Sequence, residues 1–138
     1  YSITDYKTGS YTSGVELGRG QALQLPLYIF ALHENNKVGT DNILGAGYYS
    51  FKEGKRKNGT WQSQVKDKLP WLKRTRAPEL PAVLDVAQQS IEECWTNMQA
   101  GVFPAKPAKK KCPAYCPYQD ICRYRLSTGN EEGESIDD

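Results

Sequence analysis

The stretch "PELPAVLDVAQQSIEECWTNMQAGVFP", residues 78–104, restricts the fold more than any other part of the chain. Val83, Val86, Ala87, Ile91, Cys94, Trp95 and Met98 recur at helical spacing, with Gly101 at the C-terminal cap and Pro104 as a stop. A long amphipathic helix is therefore expected, and its apolar stripe needs a core to pack on. The 138 residues, 38% of them hydrophobic, suffice for one folded unit with such a core. Cys94 lies on the stripe and reads as a buried core thiol.

Upstream of that helix, residues 2–7 read as a short strand and "TGSYTSG" (8–14) as a loop of turn formers. Residues 18–36 carry Leu23, Leu27, Phe30 and Ala31 at helical spacing and stop at Asn35 and Asn36. Pro26 lies inside this pattern and lacks a backbone donor, which predicts a kink or a late start near Gln21. "NILGAGYYSF" (42–51) is a strand candidate with Leu44, Tyr48 and Phe51 available for packing. "KEGKRKNGTW" (52–61) reads as a polar loop or hairpin tip. Its Asn58-Gly59-Thr60 matches a glycosylation acceptor, without any secretory context. No internal repeat is visible.

The net charge of +2 conceals an uneven distribution. Residues 52–76 hold nine Lys or Arg against Glu53 and Asp67, a net +7, whereas the last eight residues hold five acids and no base. A basic segment of this kind suits either a solvated loop or a phosphate-binding footprint. The acidic end, "GNEEGESIDD", holds almost nothing to bury and is expected to be disordered. No apolar run approaches the roughly 18 to 20 residues that span a bilayer, and no signal peptide is visible.

Two constellations carry chemistry. Cys112, Cys116 and Cys122 follow C-x3-C-x5-C in "CPAYCPYQDIC". Thiolates so close in sequence converge on a 4Fe-4S cluster or a zinc, each of which normally takes four ligands. With Cys94 read as core, the fourth ligand is expected outside this chain. A secreted domain with Cys94 in a disulfide is a further reading of the same four cysteines. The second constellation is "SITDYK". Alternation along a strand puts Asp5 and Lys7 on one face, either as a surface ion pair or as a site. Phosphodiester hydrolysis needs a hard divalent cation held by oxygens such as those of Asp, and a lysine beside it orients water and offsets charge. Gln24 and Tyr28, four apart on a helix, share a face that can turn toward the strand end.

"ITDYKTGSYTSGVELGRGQALQLPLYIFAL", with Asp5-Tyr6-Lys7 followed by a glycine loop and Gln24-x-x-x-Tyr28, resembles the second half of the PD-(D/E)XK nuclease domain of RecB- and AddB-like exonucleases. "GVFPAKP" followed by "CPAYCPYQDICRY" resembles the iron-sulfur tail of the AddB-like members. The resemblance covers roughly residues 1–125. It implies an α/β fold, the C-terminal part of a restriction-endonuclease-like core with a mixed sheet flanked by helices. Residues 1–104 would belong to that core, 105–126 to a cysteine-rich cluster-binding tail and 127–138 to an acidic tail. The implied catalytic residues are Asp5, Lys7, Gln24 and Tyr28, with Asp5 and the Tyr6 carbonyl as ligands of Mg²⁺ or Mn²⁺. Cys112, Cys116 and Cys122 would bind a 4Fe-4S cluster, with zinc as the alternative. Lys55, Arg56, Lys57, Lys73, Arg74 and Arg76 would contact DNA.

The chain begins at Tyr1 and reads as a piece of a longer protein, because the acid that the family places one strand before D-Y-K is not in it. On this reading the parent is a cytoplasmic, Mg-dependent exonuclease that works with a helicase in double-strand break repair, and the piece alone is inactive. A second reading is a non-catalytic, zinc- or cluster-stabilised nucleic-acid-binding module with a degenerate nuclease core. In it, Trp61 and Trp71 would stack on bases beside the basic segment.

Overall fold

A computed structural model describes residues 1–66, 68–69, 71–72, 77–104, 115–118 and 121. They fall into two units, Tyr1–Trp95 and Thr96–Asp138. The first holds a three-stranded mixed sheet flanked by helices, an α/β arrangement. Strand β1 is Ser2–Lys7, β2 is Gly45–Ser50 and β3 is Lys55–Trp61, in the order β1-β2-β3. Helix α1 is Gly14–Gly18, α2 is Gln24–Asn36, α3 is Ser63–Lys66 and α4 is Leu80–Gln99.

β1 and β2 run parallel, with Ser2 opposite Gly45 and Lys7 opposite Ser50. A parallel pair cannot be closed by a tight turn, so the chain crosses the sheet through α1 and α2 before returning. Helix α1 was not expected, although its cap is written in the sequence as S-x-x-E. The Ser13 hydroxyl accepts from the Glu16 amide at 3.2 Å and the Glu16 carboxylate accepts from the Ser13 amide at 2.8 Å. Pro26 marks a late start of α2 rather than a kink. It is the third residue of the helix, within the first turn, where its missing donor leaves no bond unmade.

The buried face of α2 differs from the one the spacing suggested. Leu25, Pro26 and Ile29 are buried and Leu32 packs against them, whereas Leu27 and Ala31 are exposed. The helix carries apolar residues on two overlapping stripes, and the sheet selects one of them. Leu17, Leu25, Ile29, Val38, Ile43, Ala46, Tyr48 and Leu80 form the main core. Phe51 and Leu44, expected to pack with Tyr48, are exposed.

β3 corrects the reading of 52–61 as a loop. The hairpin tip is confined to residues 51–54, and Lys55–Trp61 pairs antiparallel with β2. Gly47 lies opposite Gly59 and Tyr48 opposite Lys57, so Asn58 is an extra residue in the ladder, a bulge. The Asn58-Gly59-Thr60 sequence thus lies within a strand, and the Thr60 hydroxyl is buried and donates to the Pro78 carbonyl at 3.2 Å. Gly45 and Gly47 leave room for the Trp61 ring: a Cβ on Gly47 would come within 2.9 Å of Trp61 Cζ2. Trp61 heads a second cluster with Val65 and Leu72.

Helix α4 packs over its first half only. Leu80, Val83 and Ala87 are buried and Val86 and Ile91 partly so, but Cys94 and Trp95 are exposed. Leu80 and Leu84 join the cluster of Leu17, Leu25 and Ile29, and Val86 and Ser90 lie against Gly20, so the covered part of the stripe is the part that meets α1, α2 and the loop between them. In the second unit, Thr96–Gln99 complete α4 and Met98 is exposed. Gly101, at φ 67°, caps the helix as expected: its amide donates to Met98 O at 3.1 Å and the Val102 amide to Asn97 O at 2.8 Å. No helix among the described residues is long and apolar enough to cross a membrane.

Gly59 is a sensitive point of the sheet, because a Cβ there would meet the Ala46 carbonyl and lie 2.6 Å from Gly47 Cα. Gly59→Ala is expected to destabilise the fold by about 1–3 kcal/mol. A urea titration followed by circular dichroism measures it, with an unchanged midpoint as the contrary result.

Candidate active site

Asp5 and Lys7 lie on the sheet face that carries Tyr48 and Ala46, because side chains alternate along β1 and Asp5 is in register with Tyr48. The Lys7 ammonium is 2.9 Å from Asp5 Oδ2. It also donates to Gln24 Oε1 at 2.8 Å, and Gln24 Nε2 donates to the Tyr28 hydroxyl at 2.9 Å. The four residues picked out in the sequence are therefore one hydrogen-bonded and ion-paired chain. Gln24 opens α2 and Tyr28 lies one turn on. The neighbouring stripe, Leu25 and Ile29, is sunk in the core and holds the pair over the end of β1.

Electrostatics define what Lys7 can do. Its contact with Asp5 raises the lysine above its ordinary value, against the opposing effect of desolvation. Lys7 is thus an ammonium at neutral pH, suited to offsetting negative charge rather than to accepting a proton. The Asp5 side chain is mostly shielded, and its Oδ2 is closed to solvent.

The backbone adds another oxygen. The Tyr1 carbonyl accepts from the Leu44 amide and the Lys7 carbonyl from the Phe51 amide, so odd-numbered residues of β1 bond to β2. Alternation turns the Tyr6 carbonyl to the outer edge of the strand, which has no partner among the described residues. Asp5 and this carbonyl are hard oxygen donors of the kind Mg²⁺ or Mn²⁺ takes. The donors fit such an ion in kind. No group of three or more His, Cys, Asp or Glu side chains gathers among the described residues. The Tyr6 ring points to the opposite face, where it packs with Tyr49 and Phe51 at 5.8 and 5.5 Å.

The basic hairpin is split by the pleat. Lys55 and Lys57, opposite Ser50 and Tyr48, share the face of Lys7. Both pair with Glu53, Lys55 at 3.3 Å, and Lys57 also lies 5.2 Å from the Tyr11 ring centre. The Lys57 contact pulls Glu53 below the usual carboxylate range, and the same contact raises Lys57. Arg56 faces the other way, donating to Thr4 Oγ1 at 3.4 Å and lying 5.1 Å over the Trp71 ring. Lys73, Arg74 and Arg76 lie outside the described residues. Trp61 is only 2% exposed and packs edge-on against Trp71 at 5.1 Å, so it is a core residue rather than a stacking surface.

Residues 1–123 match the PD-(D/E)XK nuclease superfamily. The chain belongs to that superfamily. No curated protein and no solved structure is significantly similar to it. Superfamily members are usually metal-dependent nucleases, typically with Mg²⁺ or Mn²⁺, and the three-stranded mixed sheet with its flanking helices is consistent with their core.

Of the cysteines, Cys112 and Cys122 lie outside the described residues, while Cys116 is a half-buried free thiol. Cys94 is an exposed free thiol, which corrects its reading as a core residue and leaves the disulfide reading without support. Native protein is therefore expected to show rapid modification of Cys94 by a thiol reagent, located by mass spectrometry, and Cys94→Ser is expected to change stability by no more than about 0.5 kcal/mol. Protection of Cys94 until unfolding would contradict its placement.

Proposed function

We propose that this chain supplies Asp5, Lys7, Gln24 and Tyr28 to the catalytic centre of a metal-dependent DNA exonuclease. The proposed enzyme is RecB/AddB-like and acts with a helicase in double-strand break repair. The observation that carries this reading is the Lys7 ammonium held between Asp5 and Gln24, in a chain of this superfamily. Asp5 and the Tyr6 carbonyl would be ligands of Mg²⁺ or Mn²⁺, together with a further acid from outside the described residues. When bound, such a cation would polarise the phosphodiester and make a water more acidic. Lys7 orients the attacking water and offsets charge on the phosphate, Gln24 keeps the ammonium in place, and Tyr28, 44% exposed, faces the nucleic-acid backbone. We further propose that Cys112, Cys116 and Cys122 bind a 4Fe-4S cluster or zinc with a fourth ligand from outside the chain, as a structural staple.

Lys7→Ala in the intact protein is expected to lower cleavage at least about 100-fold. DNA binding, measured by fluorescence anisotropy with Ca²⁺ in place of Mg²⁺, should stay within about twofold, because the lysine is one cation among many. Undiminished cleavage would remove Lys7 from the mechanism. That Asp5 is the one carboxylate ion-paired with Lys7 among the described residues favours a second reading, a binding module with a degenerate core, and DNA binding without any cleavage by the intact protein would select it.

Glu53 occupies two cations, Lys55 and Lys57, that share the face of Lys7. If that face meets phosphates, Glu53→Gln tightens DNA binding several-fold at low salt and steepens the slope of log K against log salt by about 0.9 for each added phosphate contact. An unchanged affinity and slope would place the hairpin outside the interface.

A further inference from the structure

The main core is aliphatic except for Tyr48, the largest fully buried side chain of the described residues, at 1% exposure. Its place in the sheet is specific. It is in register with Asp5 on one side and Lys57 on the other, so all three side chains emerge on the face that carries Lys7. The Lys7 ammonium lies 5.6 Å from the centre of the Tyr48 ring, within the range in which a cation is attracted by an aromatic face. The ring also packs against Tyr11 at 6.3 Å, and Lys57 covers Tyr11 in turn.

We propose that Tyr48 is the positioning residue for Lys7: its ring is the floor that holds the ammonium where Asp5 and Gln24 can both reach it. The assignment rests on the nuclease reading of Lys7. A lysine stem has four rotatable carbons, and two partners on flexible side chains leave the ammonium free to swing out to solvent. A third attraction from beneath, supplied by a ring that the core cannot let move, removes that freedom. A phenol is neutral at neutral pH, so it adds no competing charge beside Asp5. An aliphatic residue would fill the same space in the core but offer the ammonium nothing.

The test compares Tyr48→Phe, Tyr48→Leu and 3,4,5-trifluorophenylalanine at position 48 in the intact protein. The fluorinated ring keeps the shape while weakening its attraction for cations, so it remains informative if the leucine variant does not fold. Two readouts are taken: kcat and KM for DNA cleavage with Mg²⁺, and the order of the Lys7 ammonium from ¹⁵N relaxation without metal. Phenylalanine is expected to rescue both. The fluorinated ring should lower kcat about two- to fivefold and leucine about 10- to 100-fold, with KM within about twofold and Lys7 disordered in each. Unchanged Lys7 order and kcat in the fluorinated or leucine protein would overturn the proposal, as would losses confined to thermal stability. If the wild type cleaves no DNA, the nuclease reading fails and the relaxation of Lys7 alone decides the role of Tyr48.

Discussion

The parallel pairing of β1 with β2 is the constraint on which the rest of the first unit depends. Two parallel strands need a crossover, and the 37 residues from 8 to 44 provide it. That crossover must lay an apolar helix on the sheet, and it must begin from the end of β1 where Lys7 emerges. Gln24, the first residue of α2, is thereby placed over the lysine it binds. The hydrogen-bonded chain from Asp5 to Tyr28 thus depends on strand direction, because a tight turn after Lys7 would leave no crossover to carry Gln24 and Tyr28.

The sheet's two faces divide the labour. One face carries Ala46 and Tyr48 against the helices and, at its end, the ammonium of Lys7. The other is flattened by Gly45 and Gly47 so that Trp61 can lie against it. Both faces pass through β2, which is buried at every position but Tyr49. This is why the close approach of Gly59 to Ala46 and Gly47 matters to the candidate site. A shift of β2 would move Tyr48 and, with it, the surface beneath Lys7.

Much of the site was legible because its parts are local. A period of two assigns Asp5 and Lys7 to one face of a strand, and a spacing of four assigns Gln24 and Tyr28 to one face of a helix. Those statements need no partner, and they held. For the two helices, the expectations that differ from the structure asked which surface a neighbour would cover. Periodicity marked Leu23, Leu27, Phe30 and Ala31 as the inner face of α2, but a second apolar stripe ran beside them and the sheet took Leu25 and Ile29. The stripe of α4 continues through Cys94, which is exposed although Leu80, Val83 and Ala87 on the same helix are buried. The lysines of β3 resembled a loop because a strand that turns charges to solvent at its start and glycine inward at its end has no alternating pattern.

The sequence by itself determined the local groups: an acid and a lysine on one strand face, a glutamine and a tyrosine on one helix face, and a capped long helix after them. Spacing along a strand or helix sets these relations, and backbone geometry makes them independent of the surroundings. The tertiary structure alone decided that the two groups meet and that Tyr48 lies beneath Lys7. It also decided that Lys55 and Lys57 share that face while Arg56 does not. Those relations follow from strand direction, register and a one-residue bulge, which are fixed by contacts between residues far apart in the chain.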